Sequence, residues 1–320
     1  MLCVGIAGGM GCRPAVLDSS EAPELVFNLS LHLEGTHWYQ DGSFELYAGE
    51  LERLAGAVEG VGGRLTCEAR AITEASLDRD DDTLARLLER GHAVGSHSDL
   101  WGRGDGGSDY QQAVDVLVDD RRQLRALGID ARHLSGACTD LDWVGAAVEA
   151  GYTSIGGMVA WCAKTLDDDL RPPGIDACES PVDCHDAFLY FPDRLQPWRV
   201  SSAARWTEED PNGAIILIPE ATVLGCNHEQ VTEPDGTDCT FDEEDLPLFF
   251  ADLDRALSLA KPDDLNVFSV AWSMGAIPDE QVFAQWLSRM EPYIDDGRVT
   301  WAGADYIVER FRDLESRSEP

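Results

Sequence analysis

The sequence predicts a mixed α/β protein in which strands and helices alternate around one barrel-like sheet. Segments with the alternating pattern of a strand are followed repeatedly by segments with the spacing of a helix. This order is typical of parallel βαβ units, and about seven strands can be counted in this way. No change in composition marks a second core, so residues 24–315 are predicted to form a single barrel domain.

The first strand has the clearest pattern of all the predicted elements. From Leu25 to Glu34 the odd-numbered residues are apolar, whereas the even-numbered ones are mostly polar and end in His32 and Glu34. Side chains two residues apart lie on the same face of a strand, so these last two are expected side by side. Gly35 ends the strand.

The remaining elements are predicted in order from the same two patterns, and glycines follow four of the helical segments, where they end a helix. Helices are expected over 47–61, 81–90, 109–127, 140–150, 246–259, 280–290 and 304–311, and strands over 64–71, 93–98, 133–135, 152–158, 214–218, 266–272 and 299–301. Two stretches rich in Pro, Gly or Asp, 163–212 and 225–245, break the rhythm and are predicted to be irregular insertions.

The composition is strongly acidic. Lys and Arg total 24 against 60 Asp and Glu residues, so the formal net charge is −36. Nucleic-acid binding and association with an anionic membrane surface both need clustered basic residues, and the charge argues against both. No run of 18 apolar residues is present, so no transmembrane helix is predicted. The acidity itself is interpreted as a property of a salty habitat rather than of a function.

The amino terminus, MLCVGIAGGMGC, is apolar and rich in small residues. It is similar to the end of a bacterial lipoprotein signal, in which Cys12 would carry a lipid anchor, although it is short and lacks a basic start. Residues 1–23 are therefore interpreted as a signal remnant or tether, and the protein is expected outside the cytoplasm, secreted or lipid-anchored. The alternative is an ordinary amino-terminal extension.

The nine cysteines agree with an oxidising compartment. Cys178 with Cys184, and Cys226 with Cys239, each enclose a loop-like segment, so two local disulfides are expected. The alternative is a structural zinc site, which the lack of any Cys-x-x-Cys pair disfavours. Its ligands would be Cys184, His185, Cys226 and His228.

Three short motifs follow one another in the first half of the chain. The first strand ends in Leu33-Glu34-Gly35, the third lies within Gly91-His-Ala-Val-Gly-Ser-His97-Ser98, and Arg132-His-Leu-Ser-Gly136 follows the long helix. In these motifs, and over residues 24–160, the chain resembles the NodB-homology polysaccharide deacetylases, which form carbohydrate esterase family four. The family has Asp-Asp-Gly, Gly-His-Glu-Ile-Gly-Ser-His-Thr and Arg-x-Pro-x-Gly at these places.

The resemblance implies a distorted parallel (β/α) barrel of about seven strands. It also implies metal-assisted hydrolysis of an acetyl group on a carbohydrate, in which the metal activates water and a carboxylate takes the proton. The family binds its metal through one Asp and two His and uses a neighbouring Asp as the base.

The family's working residues are carried over only in part. The metal Asp corresponds to Glu34, the first metal His to His97, and the family's Arg to Arg132. Other family positions hold residues that cannot do the chemistry: the base falls on Leu33, the second metal His on Trp101, and the late catalytic His on Leu217-Ile218-Pro219.

The sequence offers a substitute set of ligands at the ends of the first and third strands. His32 with Glu34, and His97 with Asp99, would each point to one side at strand ends where barrel proteins place their chemistry. We therefore predict that His32, Glu34 and His97 hold a divalent metal, with zinc as the first choice, and that Asp99 and Arg132 act in catalysis. The alternative is that these groups only hydrogen-bond to one another in the barrel mouth.

Aromatic residues on the nearby loops suggest the substrate. Trp38, Trp101 and Trp161 are predicted to bind it, because aromatic faces pack on sugar rings. The expected partner is an acetylated polysaccharide or cell-wall glycan. Two functions stay open: a metal-assisted deacetylase, and a catalytically inactive barrel that binds carbohydrate at the cell surface.

Overall fold

The structure, a computed structural model, describes residues 24–40, 42–102, 108–179, 184, 193–224, 241–274 and 279–318. Within these residues, the strands are β1 Leu25–Leu33, β2 Thr66–Ala69, β3 Ala93–His97, β4 His133–Ser135, β5 Ser154–Ile155, β6 Trp198–Val200, β7 Ile215–Leu217, β8 Glu220–Val223, β9 Asn266–Ser273 and β10 Val299–Trp301. The helices are α1 Ser43–Gly60, α2 Ala71–Arg79, α3 Thr83–Glu89, α4 Tyr110–Ala126, α5 Trp143–Ala150, α6 Asp245–Leu259, α7 Glu280–Asp295 and α8 Ala304–Ser318.

The strands form one curled and mostly parallel sheet. Their order is β6-β7-β5-β4-β3-β2-β1-β9-β8, with β10 paired to the start of β1 and β6 antiparallel to β7. β7 pairs with β5 at one edge and β8 pairs with β9 at the other, yet only Ile218 and Pro219 separate β7 from β8 along the chain. The chain therefore bridges the two edges, and the architecture is the distorted (β/α) barrel that the sequence predicts.

The strands of this barrel have one apolar and one largely polar face. On β1, Phe27 and Leu31 pack into the core beneath the surrounding helices, whereas Asn28 points into the barrel with the other even-numbered residues. The side chain of Asn28 donates to Ser269 Oγ at 2.7 Å and accepts from Thr66 Oγ1 at 2.6 Å. The interior is thus a column of hydrogen-bonded polar groups, because a buried polar side chain must find partners.

Helix α8 closes the amino-terminal end of the barrel interior. Ile307 and Val308 pack against the inward-facing Val26 and Ile216, and the backbone N–H of Ala304 donates to the interior Thr66 at 2.8 Å. This end of the barrel is therefore filled by apolar side chains. Polar groups of the interior can reach solvent only at the opposite end, where the parallel strands have their carboxyl termini.

Most of the predicted elements are confirmed, with boundaries that differ by a few residues. The pattern does not predict α2, β6 or β8. The buried face of α2 is made largely of small residues such as Ala71, Ala75 and Ser76, which give a weak apolar signal. The pattern misses β8 because Pro219 lies directly before it. Proline has no N–H to donate to a neighbouring strand, so it indicates the end of β7 rather than the start of another strand.

The stretch 163–212 is less irregular than the sequence predicts. Its described part contains β6, and Trp198 and Trp206 in it are fully buried in a second apolar cluster with α4 and α5. Proline and aspartate mark its turns, but the tryptophans between them pack as core. The predicted tether at 1–23 and nearly all of the predicted insertion 225–245 lie outside the described residues.

Two disulfides are present among the described residues. Cys178 pairs with Cys184, as the sequence predicts, whereas Cys138 pairs with Cys162, which the spacing does not reveal. The Cys178–Cys184 bond also removes Cys184 from the alternative zinc site, whose other ligands lie outside the described residues, as does the pair Cys226 and Cys239. None of the helices in the described part of the chain has the length and apolar character needed to cross a membrane.

Two glycines in different surroundings allow a test of the close packing between β6 and the turn that leads into β7. A Cβ at Gly213 would lie 2.5 Å from backbone atoms of Val200, whereas a Cβ at Gly49 in α1 would meet no atom within 4 Å. We expect Gly213→Ala to lower the free energy of unfolding by about 1–3 kcal/mol, because the β6–β7 hairpin must open. Gly49→Ala should raise it by about 0.5–1 kcal/mol. Urea unfolding of both variants measures the difference, and equal effects would contradict the packing at Gly213.

Candidate active site

An open pocket lies at the carboxyl ends of the parallel strands. It is lined by His32 from β1 and His97 from β3, together with Asp99, Trp101, Trp161 and Glu220. It holds about 550 Å³ of empty space, the part open to solvent included, which is within the size range of small-molecule sites. The ends of the first and third strands therefore meet, as the sequence predicts.

The carboxylate of Glu68 lies fully buried below this pocket, where it organises the side chains around it. His133 Nε2 is 3.0 Å from Oε1, Ser135 Oγ donates to Oε2, and His32 Nε2 lies 2.9 Å from Oε2. Burial raises the pKa of Glu68, but the contacts with His133 and His32 lower it further, so the carboxylate is ionised. An ion at this depth needs such partners, and it orients all three of them.

His97 is oriented through the same carboxylate. Ser135 Oγ has a single proton, which it donates to Glu68, so it accepts a hydrogen bond from Nδ1–H of His97 at 2.8 Å. A neutral His97 then has its lone pair on Nε2, which lies 3.3 Å from Glu34 Oε2 and 3.3 Å from Asp99 Oδ1. Three acceptors converge at this point, and only a proton or a metal cation between them relieves their repulsion.

His32, Glu34 and His97 form the group that the sequence predicts as metal ligands. One ligand atom from each lies within 4.8 Å of the others, and the two imidazole rings stack with centroids 4.2 Å apart. His32 contacts the buried Glu68 carboxylate through Nε2 at 2.9 Å. An imidazole nitrogen from each of the two histidines and the Glu34 carboxylate are a donor set that fits zinc or a similar divalent ion.

The electrostatics of the group favour a positive charge at its centre. Burial lowers the pKa of His32, but the contact with Glu68 and the charges of nearby carboxylates raise it to about 9. Burial raises the pKa of Glu34, but His97, His32 and Arg70 lower it more and hold it below the usual range of a carboxyl group. The pocket therefore has an ionised carboxylate ready to neutralise a bound cation.

Asp99 is held at the edge of the pocket by groups from two neighbouring strand ends. Arg70, which follows β2, forms an ion pair with it. Gly136, which follows β4 with φ of +62°, lies so close that a Cβ would be 2.8 Å from Asp99 N and 3.1 Å from the His97 ring. A glycine is needed here, since other residues rarely adopt this φ and their side chains would displace the imidazole.

Glu220 adds a carboxyl group of a different kind. It occupies the inward-facing position that follows Ile216 and Ile218, immediately after the break between β7 and β8, and its side chain is 2% exposed. Burial raises the pKa of Glu220, His32 lowers it and Glu68 raises it again, to about 8. Burial therefore favours the protonated form of Glu220.

The structure brings four predicted residues together: His32, Glu34, His97 and Asp99 all meet at the pocket. Trp101 and Trp161 line it as an edge-to-face pair with ring centroids 6.2 Å apart. The roles predicted for these six residues stay predictions, but their positions agree with them.

Two other predicted site residues are placed elsewhere. Arg132 precedes β4 at the amino end of that strand, where its exposed side chain donates to Asp130 at 2.8 Å, so it cannot act beside Asp99. Trp38 is fully buried and packs against Phe44 and Tyr47, so it offers no face to a sugar. Both predictions are therefore corrected by the fold.

Sequence reasoning does not identify Glu68, His133 and Glu220 as site residues. The available signal was a charged or polar residue at an inward-facing position of an otherwise apolar strand. Glu68 alternates with Cys67 and Ala69, whose side chains face the helices, and Glu220 continues the inward-facing series of β7. Such residues are rarely buried without a partner, and this makes them candidates even before a structure is known.

Comparison with solved structures identifies the fold. A protein described as a polysaccharide deacetylase from Mycobacterium smegmatis matches with a TM-score of 0.59 at 12% identity, over 96% of each chain. A second, from Pseudomonas aeruginosa PAO1, matches with a TM-score of 0.54 at 14% identity, over 93% of each chain. No family model and no curated protein matches the sequence.

The chain thus has the NodB-like barrel fold of polysaccharide deacetylases, as its motifs indicate. A 4-alpha-glucanotransferase from Thermococcus litoralis shares this architecture, with a TM-score of 0.51 at 13% identity, over 90% of this chain and 40% of that one. Because proteins with different activities share the barrel, the fold alone does not decide the reaction. The reaction must be inferred from the side chains in the pocket.

The buried carboxylate of Glu68 allows a direct test of the site architecture. We expect Glu68→Ala to lower the free energy of unfolding by about 3–5 kcal/mol, because it leaves buried imidazole and hydroxyl groups without their shared partner. Glu45→Ala, which removes an exposed carboxylate from α1, should change stability by less than about 0.5 kcal/mol. Urea unfolding measures both, and a loss below about 1 kcal/mol for Glu68→Ala would contradict this role.

Proposed function

We propose that this protein is a hydrolase that removes acetyl groups from a carbohydrate, with a divalent metal held by His32, Glu34 and His97. The single observation that carries the proposal is the convergence of these three ligands, within 4.8 Å of one another, in the pocket of a NodB-like barrel. When bound, such an ion polarises the acetyl carbonyl and lowers the pKa of a water molecule.

The surroundings of the ligands support a metal site. Ligating imidazoles in proteins commonly donate their second N–H to an acceptor that fixes the ring, and Ser135 and Glu68 provide this chain of bonds for His97. Buried Glu68 lies on the inner side of both imidazoles, while the pocket lies on the outer side. The site is therefore preorganised from below and open to substrate from above.

Asp99 is the candidate for the residue that takes the proton of the attacking water. Its carboxylate lines the pocket, 3.3 Å from His97 Nε2, and the ion pair with Arg70 holds it in place. A carboxylate beside the ligands can act as the general base, or serve as a fourth ligand. Arg70 orients Asp99 and does not itself line the pocket.

The tryptophan pair supports a carbohydrate substrate. Trp101 is 42% exposed and stands edge-to-face on the buried Trp161, so a large aromatic face remains free beside the ligands. An acetylated polysaccharide or cell-wall glycan would suit this wall, because sugar rings stack on aromatic faces.

An extracytoplasmic location accords with this substrate. The disulfides Cys138–Cys162 and Cys178–Cys184 support it, since such bonds persist in oxidising compartments. Cys12, the proposed lipid attachment site, lies outside the described residues.

Replacement of a metal ligand tests the proposed reaction. We expect His97→Gln to lower both the zinc content and the acetate release from chitin oligomers, peptidoglycan or acetylxylan by at least about 100-fold. The matched control is His92→Gln, another buried imidazole, which contacts Glu59 and the backbone of Leu65 away from the pocket. Metal analysis by mass spectrometry and an acetate assay give the two readouts.

Other outcomes of the same experiment decide against the proposal. Acetate release that survives in His97→Gln would exclude this site as the catalytic one. Sugar binding by the native protein without any acetate release, with or without added zinc, cobalt, nickel or manganese, would favour the carbohydrate-binding function instead.

The exposed tryptophan gives an independent test of substrate binding. We expect Trp101→Ala to raise KM for an acetylated oligosaccharide by about 10-fold with little change in kcat, because a stacking contact contributes to binding before and during the reaction. Tyr293→Ala, which removes an aromatic ring near β10 at the other end of the barrel, is the control. Steady-state kinetics measure the split, and an unchanged KM would remove Trp101 from the binding surface.

A further inference from the structure

Two loops contribute much of the pocket lining, one after β4 and one after β5. Gly136 and Cys138 lie on the first loop, and Gly157 and Trp161 lie on the second. The disulfide between Cys138 and Cys162 joins these loops, with the two Cα atoms 5.0 Å apart. Because Cys138 itself lines the pocket, the cross-link is part of the pocket wall.

The second loop places Trp161 directly beside the disulfide. Trp161 precedes Cys162 in the short 3-10 turn Ala160–Thr165. The carbonyl of Cys162 accepts hydrogen bonds from Trp206 Nε1 at 3.0 Å and from Thr165 Oγ1 at 2.9 Å. Both the backbone and the side chain of Cys162 are therefore held, and the tryptophan next to it has a fixed place.

The first loop contacts the segment that bears the other tryptophan of the pair. The carbonyl of Gly136 accepts a hydrogen bond from the backbone N–H of Leu100 at 3.0 Å, and Trp101 follows directly. Gly136 also lies against the ring of His97, since a Cβ there would be 3.1 Å from it. Cys138, two residues further on, is therefore anchored beside a proposed metal ligand and beside the start of the Trp101 segment.

We propose that the Cys138–Cys162 disulfide is a positioning element of the substrate site, which sets the place of the Trp101–Trp161 pair relative to the metal ligands. This inference rests on the proposed function. A sugar ring stacked on Trp101 must also bring its acetyl group to the ligands, so affinity depends on the distance between the two. The disulfide fixes that distance, because one cysteine is anchored beside His97 and the other beside Trp161. The binding site is then complete only in the oxidised protein.

Removal of the disulfide tests this role. We expect Cys138→Ala/Cys162→Ala to raise KM for a chitin oligomer by about 5-fold and to change kcat by less than about 2-fold, because the ligands stay in place while the tryptophan pair loosens. Zinc content and the hydrolysis of 4-nitrophenyl acetate, which has no sugar ring, should stay as in the native protein. The matched control is Cys178→Ala/Cys184→Ala, which removes a disulfide outside the pocket lining and should leave KM unchanged.

A double-mutant comparison separates positioning from a general effect on the fold. If the disulfide acts through the tryptophan pair, its removal should raise KM no further in a protein that already contains Trp101→Ala. Effects that add in full would show that the bond supports the fold as a whole, and they would overturn the proposal.

A third measurement needs neither turnover nor a variant that must fold without the bond. Tryptophan fluorescence gives Kd for the chitin oligomer before and after reduction by a water-soluble phosphine, which becomes the phosphine oxide with an oxygen from water while the disulfide becomes two thiols. Native protein, checked as folded by circular dichroism, should bind about 5-fold more weakly after reduction and recover on reoxidation. Cys138→Ala/Cys162→Ala should keep its affinity under the same treatment.

The remaining outcomes separate this inference from the proposed function. Unchanged KM and Kd in Cys138→Ala/Cys162→Ala, an equal rise in the control variant, or unfolding of both the variant and the reduced protein would overturn the positioning role and leave the proposed reaction standing. Native protein that binds the oligomer without acetate release would overturn the proposed reaction, and the Kd comparison would still decide the role of the disulfide. Native protein that neither binds the oligomer nor releases acetate would overturn both.

Discussion

The burial of one ionised carboxylate, that of Glu68, is the constraint on which the architecture of the site depends. Removing such a group from water costs several kcal/mol, and the protein offsets this with His32, His133 and Ser135. These partners come from two other strands, β1 and β4, so the carboxylate links them to its own strand, β2. Through Ser135 it also orients His97 on β3. The buried Glu68 carboxylate therefore fixes the positions of the side chains that form the floor of the pocket.

The barrel separates this polar interior from two apolar layers. Outward-facing side chains of the strands pack under the helices, and α8 fills the amino-terminal end of the interior. The polar column from Asn28 and Thr66 upward has solvent access only at the strand carboxyl ends. Substrate, water and any metal ion must therefore enter from that side, where the tryptophan pair forms part of the wall.

The sequence predicts the fold and the main cluster because both follow from local patterns. Alternation on β1 places His32 beside Glu34, and parallel strands bring their carboxyl ends together, so His97 joins them. What it does not predict depends on long-range packing. Glu68 meets His133 across 65 residues of chain. Trp38 folds inward although its segment reads as a loop, and the three-residue β4 leaves Arg132 at the wrong end of the strand. Glu220 is placed by a break at Pro219 that hides β8.

The break between β7 and β8 also bears on how the chain acquires its structure during synthesis. The carboxylate of Glu68 and the imidazole and hydroxyl groups that surround it all belong to the first 135 residues, so they can assemble while the rest is still on the ribosome. The segment 215–223 is synthesised later. It closes the barrel by pairing β7 with β5 and β8 with β9, and both pairings join residues far apart in the sequence. Closure of the barrel therefore depends on a segment that is synthesised after the polar cluster is complete.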